Sequence, residues 1–531
     1  MNTQSSITVT SRLLPLRLPR VCIAVIADDP AEMLDKAESL VRENPFFEFR
    51  LDYLKQPAAA LPKLKRFFDL HPEVIAIATC RRVVSGGRFK GSVASQLDVL
   101  TKAAAAGCQL VDVELETAES VKSAEWQKLH SRAAIVLSHH DFRATKKLEE
   151  TFNRMREIPA DYYKVVTTAT SLYDNVLMMK FLQERSYTHS VVGVCMGEQG
   201  IISRVLGLRA GSVFTFASAS PGEETAPGQI SFRTLRDKFR LDYLDAATRV
   251  YGVAGDPVGH SLSPAMMNTA FRRENVNAVY LKLHAKKLDD LIACMRDIPL
   301  SGVSVTMPYK EEIVGKLDNS DALTQKTGAC NTVIRGADGK LYGFNTDVAG
   351  VLRPLEKRIT IKDAKILVIG AGGAARSAVF SLKERGAEVF IINRTPANAQ
   401  KLAKQAKAKY LKRTDLKKFR FDVIINATPL GMEGGLKQSP LSEKEINARY
   451  VFDMVYTSAE TPFIKAGRAA GADAIPGVEM FVQQGARQFE IWTGKPAPVV
   501  EMQNVIEMEL SNRAAAKHDG NGRASSNGKK R

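Results

Sequence analysis

Residues 364–382 read AKILVIGAGGAARSAVFSL, a buried strand that runs through a glycine loop directly into a helix. The loop has the Gly-x-Gly-x-x-Ala form, in which glycines let the backbone approach a pyrophosphate at the amino end of the helix. Because a strand precedes the loop and a helix follows it, the stretch predicts a dinucleotide-binding Rossmann lobe. The residues expected to bind the cofactor here are Gly370, Ala371, Gly372, Gly373 and Ala374.

The next strand, EVFIINRT, ends in Asn393, Arg394 and Thr395. An NAD site would carry an Asp or Glu there for the ribose 2'-hydroxyl, whereas Arg394 can pair with a 2'-phosphate. NADP(H) is therefore the predicted cofactor, and a solvated surface arginine is the alternative. A third strand pattern, DVIINATPLGM, ends in a polar turn where Thr428 and Pro429 could close over the nicotinamide.

Four segments before the glycine loop end apolar stretches in polar side chains: HSLSP, VSVTMPYKEE, GACNTV and GFNTD. Hydroxyl, amide, lysine and carboxylate groups together suit a pocket for a polyhydroxylated ligand. Within these segments, Lys310 and Asp347 could form a proton-transferring dyad. A bystander salt bridge between them is the alternative, and the residues alone leave both open.

The first half of the chain contains eight short apolar runs separated by helix-like segments. They begin at residues 21, 46, 74, 109, 134, 162, 191 and 212, at intervals of 21 to 35 residues. One strand, one helix and two loops need about this length. Eight such units favour a (β/α)8 barrel over the alternative, an open doubly wound sheet.

Charged residues cluster where these strands end, which is where a barrel enzyme carries its reactive groups. Lys164 lies within the apolar run YYKVVTT, so its side chain must reach solvent or lose its charge. Burial near Arg81 and Arg204 would favour the neutral amine, which beside His140 is equipped for Schiff-base chemistry on a ketone. A structural ion pair of Lys164 with Glu48 is the alternative.

The segments FEFRLD, ATCR, SHHDF, YYKVV, GIISR and APGQIS resemble the type I 3-dehydroquinate dehydratases over roughly residues 20–240. The resemblance implies that Lys164 forms an imine with the substrate ketone and that His140 is the general base and acid. Strand alternation and the His-Asp-Phe context select His140 over His139. The implied substrate-binding residues are Glu48, Arg50, Arg81, Arg204, Thr225 and Gln229.

The second half is similar to the shikimate dehydrogenases across roughly residues 249–510, through its four polar segments, glycine loop, NRT, DMVY and VEMFVQQGARQFEIWTG. The resemblance implies that Lys310 and Asp347 are catalytic, and that reduction occurs in a cleft between two lobes. The implied substrate-binding residues are Ser261, Ser263, Thr306, Asn331, Tyr456 and Gln484.

Joined in this order, the two halves resemble bifunctional enzymes that convert 3-dehydroquinate to 3-dehydroshikimate and reduce it to shikimate with NADPH. One alternative is a dehydratase fused to a quinate dehydrogenase, against which Ser263 and Thr306 argue. Another is a metabolite-binding regulator without turnover, against which the four retained catalytic groups argue. Two departures affect the substrate loop, since many relatives have an acid at Ser85 and a serine at Ala24.

The composition of the 531 residues, 45% hydrophobic and 25% charged, is that of a globular protein, with no apolar run long enough to span a membrane. The net charge is +17, but the sequence shows no helix-turn-helix or zinc-finger spacing. Small anions are therefore the expected partners, and nucleic acid is not. Six cysteines without a Cys-x-x-Cys pair indicate a reducing compartment and no metal. The cytoplasm is expected, or a plastid if the N-terminus is a transit peptide; the oligomeric state stays open.

The predicted fold class is α/β: an N-terminal (β/α)8 TIM barrel, then a two-lobed α/β dehydrogenase with a Rossmann NADP-binding lobe. The predicted parts are a flexible N-terminus (1–20), the dehydratase barrel (21–248), a substrate-binding lobe (249–350), the NADP-binding lobe (351–480), a helix returning to the substrate lobe (481–512) and a basic disordered tail (513–531).

Overall fold

The computed structural model describes residues 17–298, 300–432, 435–457 and 459–526. Residues 1–16 of the predicted flexible N-terminus and 527–531 of the predicted tail lie outside the described residues. The chain divides into two compact units, one formed by Met1–Thr248 with Leu283–Ile298 and the other by Arg249–Lys282 with Pro299–Arg531. In the described parts, no helix is both long and apolar enough to cross a membrane.

The first unit is built on one sheet of eight strands. They are β1 (Val21–Val25), β2 (Phe46–Arg50), β3 (Ile75–Thr79), β4 (Leu110–Glu114), β5 (Ala134–His140), β6 (Tyr162–Thr168), β7 (Val191–Met196) and β8 (Thr215–Ser218). The ladders are parallel in the order β7-β6-β5-β4-β3-β2-β1-β8. The Val213 amide, just before β8, donates to the Val191 carbonyl of β7 at 2.9 Å, so the edges meet. The predicted barrel is confirmed.

Helices separate these strands as a parallel barrel requires, and one more helix follows the last strand. They are α1 (Pro30–Glu38), α2 (Leu61–Leu70), α3 (Val93–Ala105), α4 (Leu115–Ala118), α5 (Ser123–His130), α6 (Leu148–Met155), α7 (Asp174–Arg185), α8 (Ile201–Leu206) and α9 (Phe232–Phe239). Apolar side chains near the strand starts, including Cys22, Phe46, Leu110 and Phe214, form one buried cluster. This cluster fills the amino end of the barrel and leaves the charged residues at the carboxyl end.

The second unit contains two sheets, of which the first is mixed. Its strands are β9 (Arg249–Gly255), β10 (Ala278–His284), β11 (Leu300–Val305), β12 (Asn319–Ser320), β13 (Thr332–Arg335) and β14 (Leu341–Phe344). They lie in the order β10-β9-β11-β13-β14-β12, and β13 runs antiparallel to both β11 and β14. The helices along this stretch of sequence are α10 (Ser263–Arg273), α11 (Leu288–Asp297), α12 (Ala322–Thr327) and α13 (Asp347–Glu356), of which α11 belongs to the residues grouped with the first unit.

The other sheet is parallel throughout. Its strands are β15 (Lys365–Ile369), β16 (Glu388–Ile392), β17 (Lys409–Tyr410), β18 (Phe421–Asn426), β19 (Ala448–Asp453) and β20 (Asp473–Ile475). The order β17-β16-β15-β18-β19-β20 is the 3-2-1-4-5-6 order of a Rossmann sheet, which confirms the predicted lobe. Its helices are α14 (Gly373–Glu384), α15 (Pro396–Ala406) and α16 (Pro462–Ala469), and apolar clusters cover both faces.

After the parallel sheet the chain packs two helices against the mixed sheet, α17 (Gly477–Thr493) and α18 (Val499–Ser526). Phe489 and Trp492 of α17 and Ile506 of α18 share a buried cluster with Tyr251 of β9. The sequence predicts one returning helix and a disordered tail from residue 513, whereas α18 is helical to Ser526. The run of residues 513–517, RAAAK, has high helix propensity, which the composition of the whole tail obscures.

Candidate active sites

A pocket of about 560 Å³ lies at the carboxyl end of the barrel, above the apolar cluster. Phe142, Val166, Val194, Met196 and Phe216 provide apolar parts of its wall. All eight residues predicted for this half line the same pocket: Glu48, Arg50, Arg81, His140, Lys164, Arg204, Thr225 and Gln229.

Lys164 lies on β6, is 5% exposed and sits between two carboxylates. Its Nζ is 3.0 Å from Asp112 Oδ2 and 3.6 Å from Glu48 Oε1, and it lies 3.8 Å from the ring centroid of Phe216. Arginines are its predicted neighbours, but the nearest charges are negative. Lys164 therefore forms the ion pair with Glu48 and also lines the pocket, so a structural role and a chemical role for this lysine are compatible.

Asp112 on β4 joins several pocket residues, although it is not among the site residues predicted from the sequence. Its Oδ1 accepts hydrogen bonds from Arg81 Nη2 at 2.8 Å and from Ser138 Oγ at 2.7 Å. Burial raises the pKa of the Asp112 carboxyl, but the charges of Arg81 and Lys164 outweigh burial and hold it well below its ordinary value. In the sequence, Asp112 could have been noticed as an acidic residue inside an apolar strand.

His140 is the last residue of β5, and its Nε2 is 2.5 Å from Arg81 Nη1. Since a guanidinium only donates, Nε2 must accept, so the imidazole is neutral with its proton on Nδ1. Burial, together with the charges of Arg81 and Lys164, lowers the pKa of His140 well below its ordinary value. The neighbouring His139 instead pairs with Glu116 at 2.9 Å and does not line the pocket.

The pocket contains more positive than negative charge. Arg50 makes a bidentate pair with Asp52, at 2.9 and 2.8 Å. Arg204, only 2% exposed, donates to the Pro227 carbonyl at 3.2 Å, its Nε has no partner, and no carboxylate pairs with it among the described residues. Burial lowers the pKa of Arg204 to about 10. A buried arginine without a carboxylate partner marks the position for an anionic ligand group.

Thr225 and Gln229, the remaining predicted residues of this half, line the pocket, whereas Ala24 and Ser85 do not. The amide and hydroxyl of Thr225 donate to Gln229 Oε1 at 2.6 and 3.1 Å, which holds both side chains at the rim. Ala24 is buried on β1 beside Glu48 in register, and Ser85 ends a short 3-10 turn outside the pocket lining.

In the second unit, Lys310 and Asp347 are in direct contact. Lys310 Nζ lies 2.7 Å from Asp347 Oδ2, and Asn331 Nδ2 donates to Asp347 Oδ1 at 2.8 Å. Asp347 is the first residue of α13, where the helix dipole favours a negative charge. The Lys310 side chain is 28% exposed and that of Asp347 is 9% exposed, so the lysine is the member of the pair that a ligand can contact.

The other predicted substrate residues lie on elements around this pair. The Ser263 amide, at the start of α10, donates to Ser261 Oγ at 3.3 Å, and Thr306 follows β11. Tyr456 stacks on Phe481 with ring centroids 4.5 Å apart. The Gln484 side chain of α17 adjoins Gly350 of α13. Among the described residues, no hydrogen bond joins Ser261, Ser263, Thr306, Tyr456 or Gln484 directly to Lys310, Asn331 or Asp347.

The predicted cofactor residues lie at the carboxyl end of the parallel sheet. Gly370 has φ +124° and approaches Ala427, whose carbonyl oxygen would be 2.9 Å from an added Cβ. Gly372 and Gly373 face open space, because an added Cβ at either would meet no atom within 4 Å. The loop with Ala371 and Ala374 therefore leaves the amino end of α14 accessible to a phosphate.

The turn after β16 has no acid at its end. Arg394 is exposed and forms no ion pair within the described residues, while Asn393 Nδ2 donates to the Thr395 carbonyl at 3.0 Å. The amide and hydroxyl of Thr428 donate to Asn426 Oδ1 at 3.0 and 2.7 Å. The residues present thus fit a phosphorylated dinucleotide, with Arg394 as an exposed cation in the turn after β16.

Family models match four segments of the chain. The model described as Type I 3-dehydroquinase matches residues 21–246. In the second half, the shikimate dehydrogenase substrate binding domain matches 253–333, Shikimate / quinate 5-dehydrogenase matches 354–435, and the Shikimate 5'-dehydrogenase C-terminal domain matches 477–507.

Comparison with known proteins extends over nearly the whole chain. A chloroplastic bifunctional 3-dehydroquinate dehydratase/shikimate dehydrogenase of Arabidopsis thaliana is 33% identical over 504 residues, covering 90% of this chain and 82% of the relative. A shikimate dehydrogenase (NADP(+)) of Halothermothrix orenii is 41% identical over 268 residues, 47% of this chain and 92% of the relative.

Among solved structures, shikimate 5-dehydrogenase from Thermus thermophilus in complex with NADP(H) and shikimate is 32% identical, with a TM-score of 0.46, covering 49% of this chain and 99% of that chain. The match to the Arabidopsis protein, together with the family models, confirms both resemblances found in the sequence. The chain belongs to the family of bifunctional 3-dehydroquinate dehydratase/shikimate dehydrogenases.

Proposed function

We propose that this protein dehydrates 3-dehydroquinate to 3-dehydroshikimate in its barrel and reduces that product to shikimate with NADPH in its second unit. Family membership over 90% of the chain supports the two reactions and their order. The observation that carries the proposal is that one chain holds both a buried lysine beside a neutral histidine and a lysine–aspartate pair next to a Rossmann lobe.

In the dehydratase site we assign imine formation to Lys164. Once the ammonium has given up its proton to solvent, the neutral amine attacks the substrate ketone, water leaves, and the imine draws electrons from the adjacent C–H bond. His140, neutral because its pKa is lowered, accepts that proton, and the neighbouring hydroxyl departs as water when it is protonated. Hydrolysis of the imine then returns Lys164. Asp112 and Glu48 hold the lysine in the pocket wall throughout.

We assign the substrate carboxylate to Arg204, since this arginine is buried without a carboxylate partner of its own among the described residues. Glu48, Arg50, Arg81, Thr225 and Gln229 line the same pocket and are the groups proposed to hold the hydroxyls and orient the ring.

In the reductase site, Lys310 is the proposed proton donor to the oxygen that becomes the new hydroxyl. Asp347 orients the lysine through the 2.7 Å contact, and Asn331 orients Asp347. Bound NADPH supplies a hydride to the carbonyl carbon. The substrate hydroxyls and carboxylate are assigned to Ser261, Ser263, Thr306, Asn331, Tyr456 and Gln484.

NADP(H) is the proposed cofactor. Gly370, Ala371, Gly372, Gly373 and Ala374 would hold the pyrophosphate at the amino end of α14. Asn393, Arg394 and Thr395 would hold the adenosine 2'-phosphate, with Arg394 as its charged partner. Thr428 is the residue proposed to contact the nicotinamide side.

The proposed domain bounds follow the sequence: barrel 21–248, substrate-binding lobe 249–350, NADP-binding lobe 351–480 and returning segment 481–512. The proposed compartment is the cytoplasm, supported by six buried cysteines without a disulfide, and a plastid is the alternative if residues 1–20 act as an address. A fluorescent reporter carrying residues 1–20 distinguishes the two, since only a plastid address would concentrate it in plastids.

A coupled assay tests both reactions at once. The purified protein receives 3-dehydroquinate and NADPH, and NADPH absorbance is followed, with NADH and quinate with NADP+ as parallel controls. We expect NADPH consumption from 3-dehydroquinate, loss of the coupled signal in Lys164→Ala, and its recovery there when 3-dehydroshikimate is supplied. Turnover of quinate in preference to shikimate, or no turnover of either substrate, would contradict the proposed function.

A further inference from the structure

A chain of buried hydrogen bonds runs through the mixed sheet to the Lys310–Asp347 pair. The Tyr280 hydroxyl donates to Ser304 Oγ at 2.6 Å, and Ser304 Oγ donates to Gln488 Oε1 at 2.8 Å. Gln488 Nε2 donates to Thr332 Oγ1 at 3.0 Å and to the Asn331 carbonyl at 3.2 Å. These bonds join β10, β11, β13 and α17 through one glutamine side chain.

The same chain continues from Thr332 to the catalytic pair. Thr332 Oγ1 donates to Asn331 Oδ1 at 2.8 Å, and Asn331 Nδ2 donates to Asp347 Oδ1 at 2.8 Å. Gln488 is 1% exposed, Thr332 0% and Asn331 3%, so water does not compete for these bonds. Lys310 completes the sequence by donating to the other Asp347 oxygen.

The direction of donation along this chain is fixed by its end. An ionised Asp347 carboxylate only accepts, so Asn331 must present its amide nitrogen to it and its oxygen to Thr332 and to Thr346, which donate to that oxygen. The Thr332 hydroxyl then has its proton toward Asn331, and its oxygen must accept from Gln488. Only a side chain that accepts from Ser304 and donates to Thr332 satisfies both neighbours, which is what an amide does.

We propose that Gln488 is a positioning residue of the reductase: together with Thr346, whose amide also donates to Asn331 Oδ1 at 2.8 Å, it holds Asn331 and, through Asn331, the position of Asp347 and Lys310. Gln488 contacts neither Lys310 nor Asp347, so its effect passes through Asn331. The inference rests on the proposed function of this site and adds a residue, four positions after Gln484 on α17, to those predicted from the sequence.

The decisive variant is Gln488→Glu, which keeps the shape of the side chain. An ionised carboxylate at this position accepts from Ser304 but cannot donate to Thr332, so the Thr332 hydroxyl turns toward it and Asn331 Oδ1 is then held by Thr346 alone. When the carboxyl is protonated, its O–H can donate to Thr332 again. Burial raises the pKa of a carboxyl, so this protonation falls within the accessible pH range.

Other ionisable groups near the network are Tyr280, Cys330, Lys310 and Asp347. Burial raises the pKa of Tyr280 above its ordinary value and that of Cys330 to about 11, so neither ionises below neutral pH. Lys310 and Asp347 are shared by variant and wild type. The ratio of the two kcat values therefore isolates the titration of the introduced carboxyl.

The experiment measures 3-dehydroshikimate reduction by the full chain between mildly acidic and alkaline pH, with NADPH binding followed by fluorescence. For Gln488→Glu we expect kcat to fall about ten- to a hundredfold at neutral pH, because one buried hydrogen bond is lost. The kcat ratio of variant to wild type should rise toward one as pH falls, with NADPH affinity unchanged.

Two further variants keep the test decisive. Gln483→Glu puts a carboxyl at another buried position of α17, 6% exposed, and should show no such pH-dependent ratio. If Gln488→Glu does not fold, Ser304→Ala takes its place: it removes the hydroxyl that donates to Gln488 Oε1 and should lower kcat a few fold.

Three outcomes separate the inference from the proposed function. A wild-type chain that does not reduce 3-dehydroshikimate contradicts the proposed function itself. An active wild type with equal kcat in Gln488→Glu at every pH overturns the role of Gln488. A loss that is the same at every pH and accompanied by weaker NADPH binding also overturns it, since that pattern reports a structural defect of the unit.

Discussion

The carboxylate of Asp112 holds two of the barrel's cations in place, Arg81 at 2.8 Å and Lys164 at 3.0 Å. We expect Asp112→Asn to lower dehydratase kcat about 100-fold and to destabilise the barrel by about 3 kcal/mol, because both cations lose a buried partner. Activity assays and denaturant unfolding measure the two effects. Glu116→Gln, which removes a carboxylate outside the pocket, is the matched control and should leave activity unchanged.

His140 gives the dehydratase a defined pH dependence. Burial and the charges of Arg81 and Lys164 lower its pKa, and the neutral imidazole is the proposed base, so activity is lost as pH falls through that lowered value. The acid limb of kcat/KM should therefore lie below about 6.5, the ordinary histidine value. In Arg81→Gln, with one positive charge removed, we expect the limb to move to higher pH. An unmoved limb would mean that another group titrates.

Arg394 is the residue on which the choice of cofactor depends. Without its guanidinium, the 2'-phosphate of NADPH loses its charged partner, whereas NADH has no such phosphate. We expect Arg394→Gln to raise the KM for NADPH about tenfold or more and to leave the KM for NADH within a factor of about two. Steady-state kinetics with both cofactors provide the measurement. An equal rise for NADH would point to a general defect of the lobe.

At the scale of elements, α17 depends on a glycine at its first turn. A Cβ at Gly477 would lie 2.2 Å from the Val455 carbonyl oxygen, a backbone atom that cannot move alone. We expect Gly477→Ala to destabilise the second unit by about 1–3 kcal/mol and to impair reduction, with dehydratase activity retained. Thermal unfolding checks this. Gly315→Ala serves as the control, because nothing lies within 4 Å of its added Cβ.

The elements themselves could be predicted well where apolar residues are continuous. Each of the eight barrel strands overlaps a predicted run, and the strand, glycine loop and helix from β15 to α14 follow the sequence pattern. The two-residue strands β12 and β17 could not be found, since their pairing depends on neighbouring strands and not on their own composition.

The residues of the two sites also divide into those that could be identified from the sequence and those that could not. Lys164 and His140 could be singled out because each stands out against an apolar strand and fits a motif. Asp112 and Gln488 could not be assigned roles, because their importance lies in which atoms they join across strands. In a linear sequence, Gln488 is one polar residue on a helix; its three buried partners come from β11 and β13 and the residue before β13.

For the whole molecule, the net charge of +17 is distributed unevenly. Nine of the 20 residues from Lys401 to Arg420 are basic and one is acidic, and all nine basic side chains are exposed. Both proposed substrates and NADPH are anions, so we expect kcat/KM of both reactions to fall as salt increases, with kcat nearly constant. Activity series in sodium chloride, with sucrose as an uncharged control, measure the effect. A salt-independent kcat/KM for NADPH would contradict it.

The helices α17 and α18 that pack against the mixed sheet come more than a hundred residues after its last strand, since β14 ends at Phe344 and α17 begins at Gly477. During synthesis the ribosome therefore makes every strand of the parallel sheet before the α17 and α18 residues that cover Tyr251 emerge. The barrel precedes all of this and has no such dependence. A nascent chain should accordingly gain dehydration first, while reduction awaits the final helices.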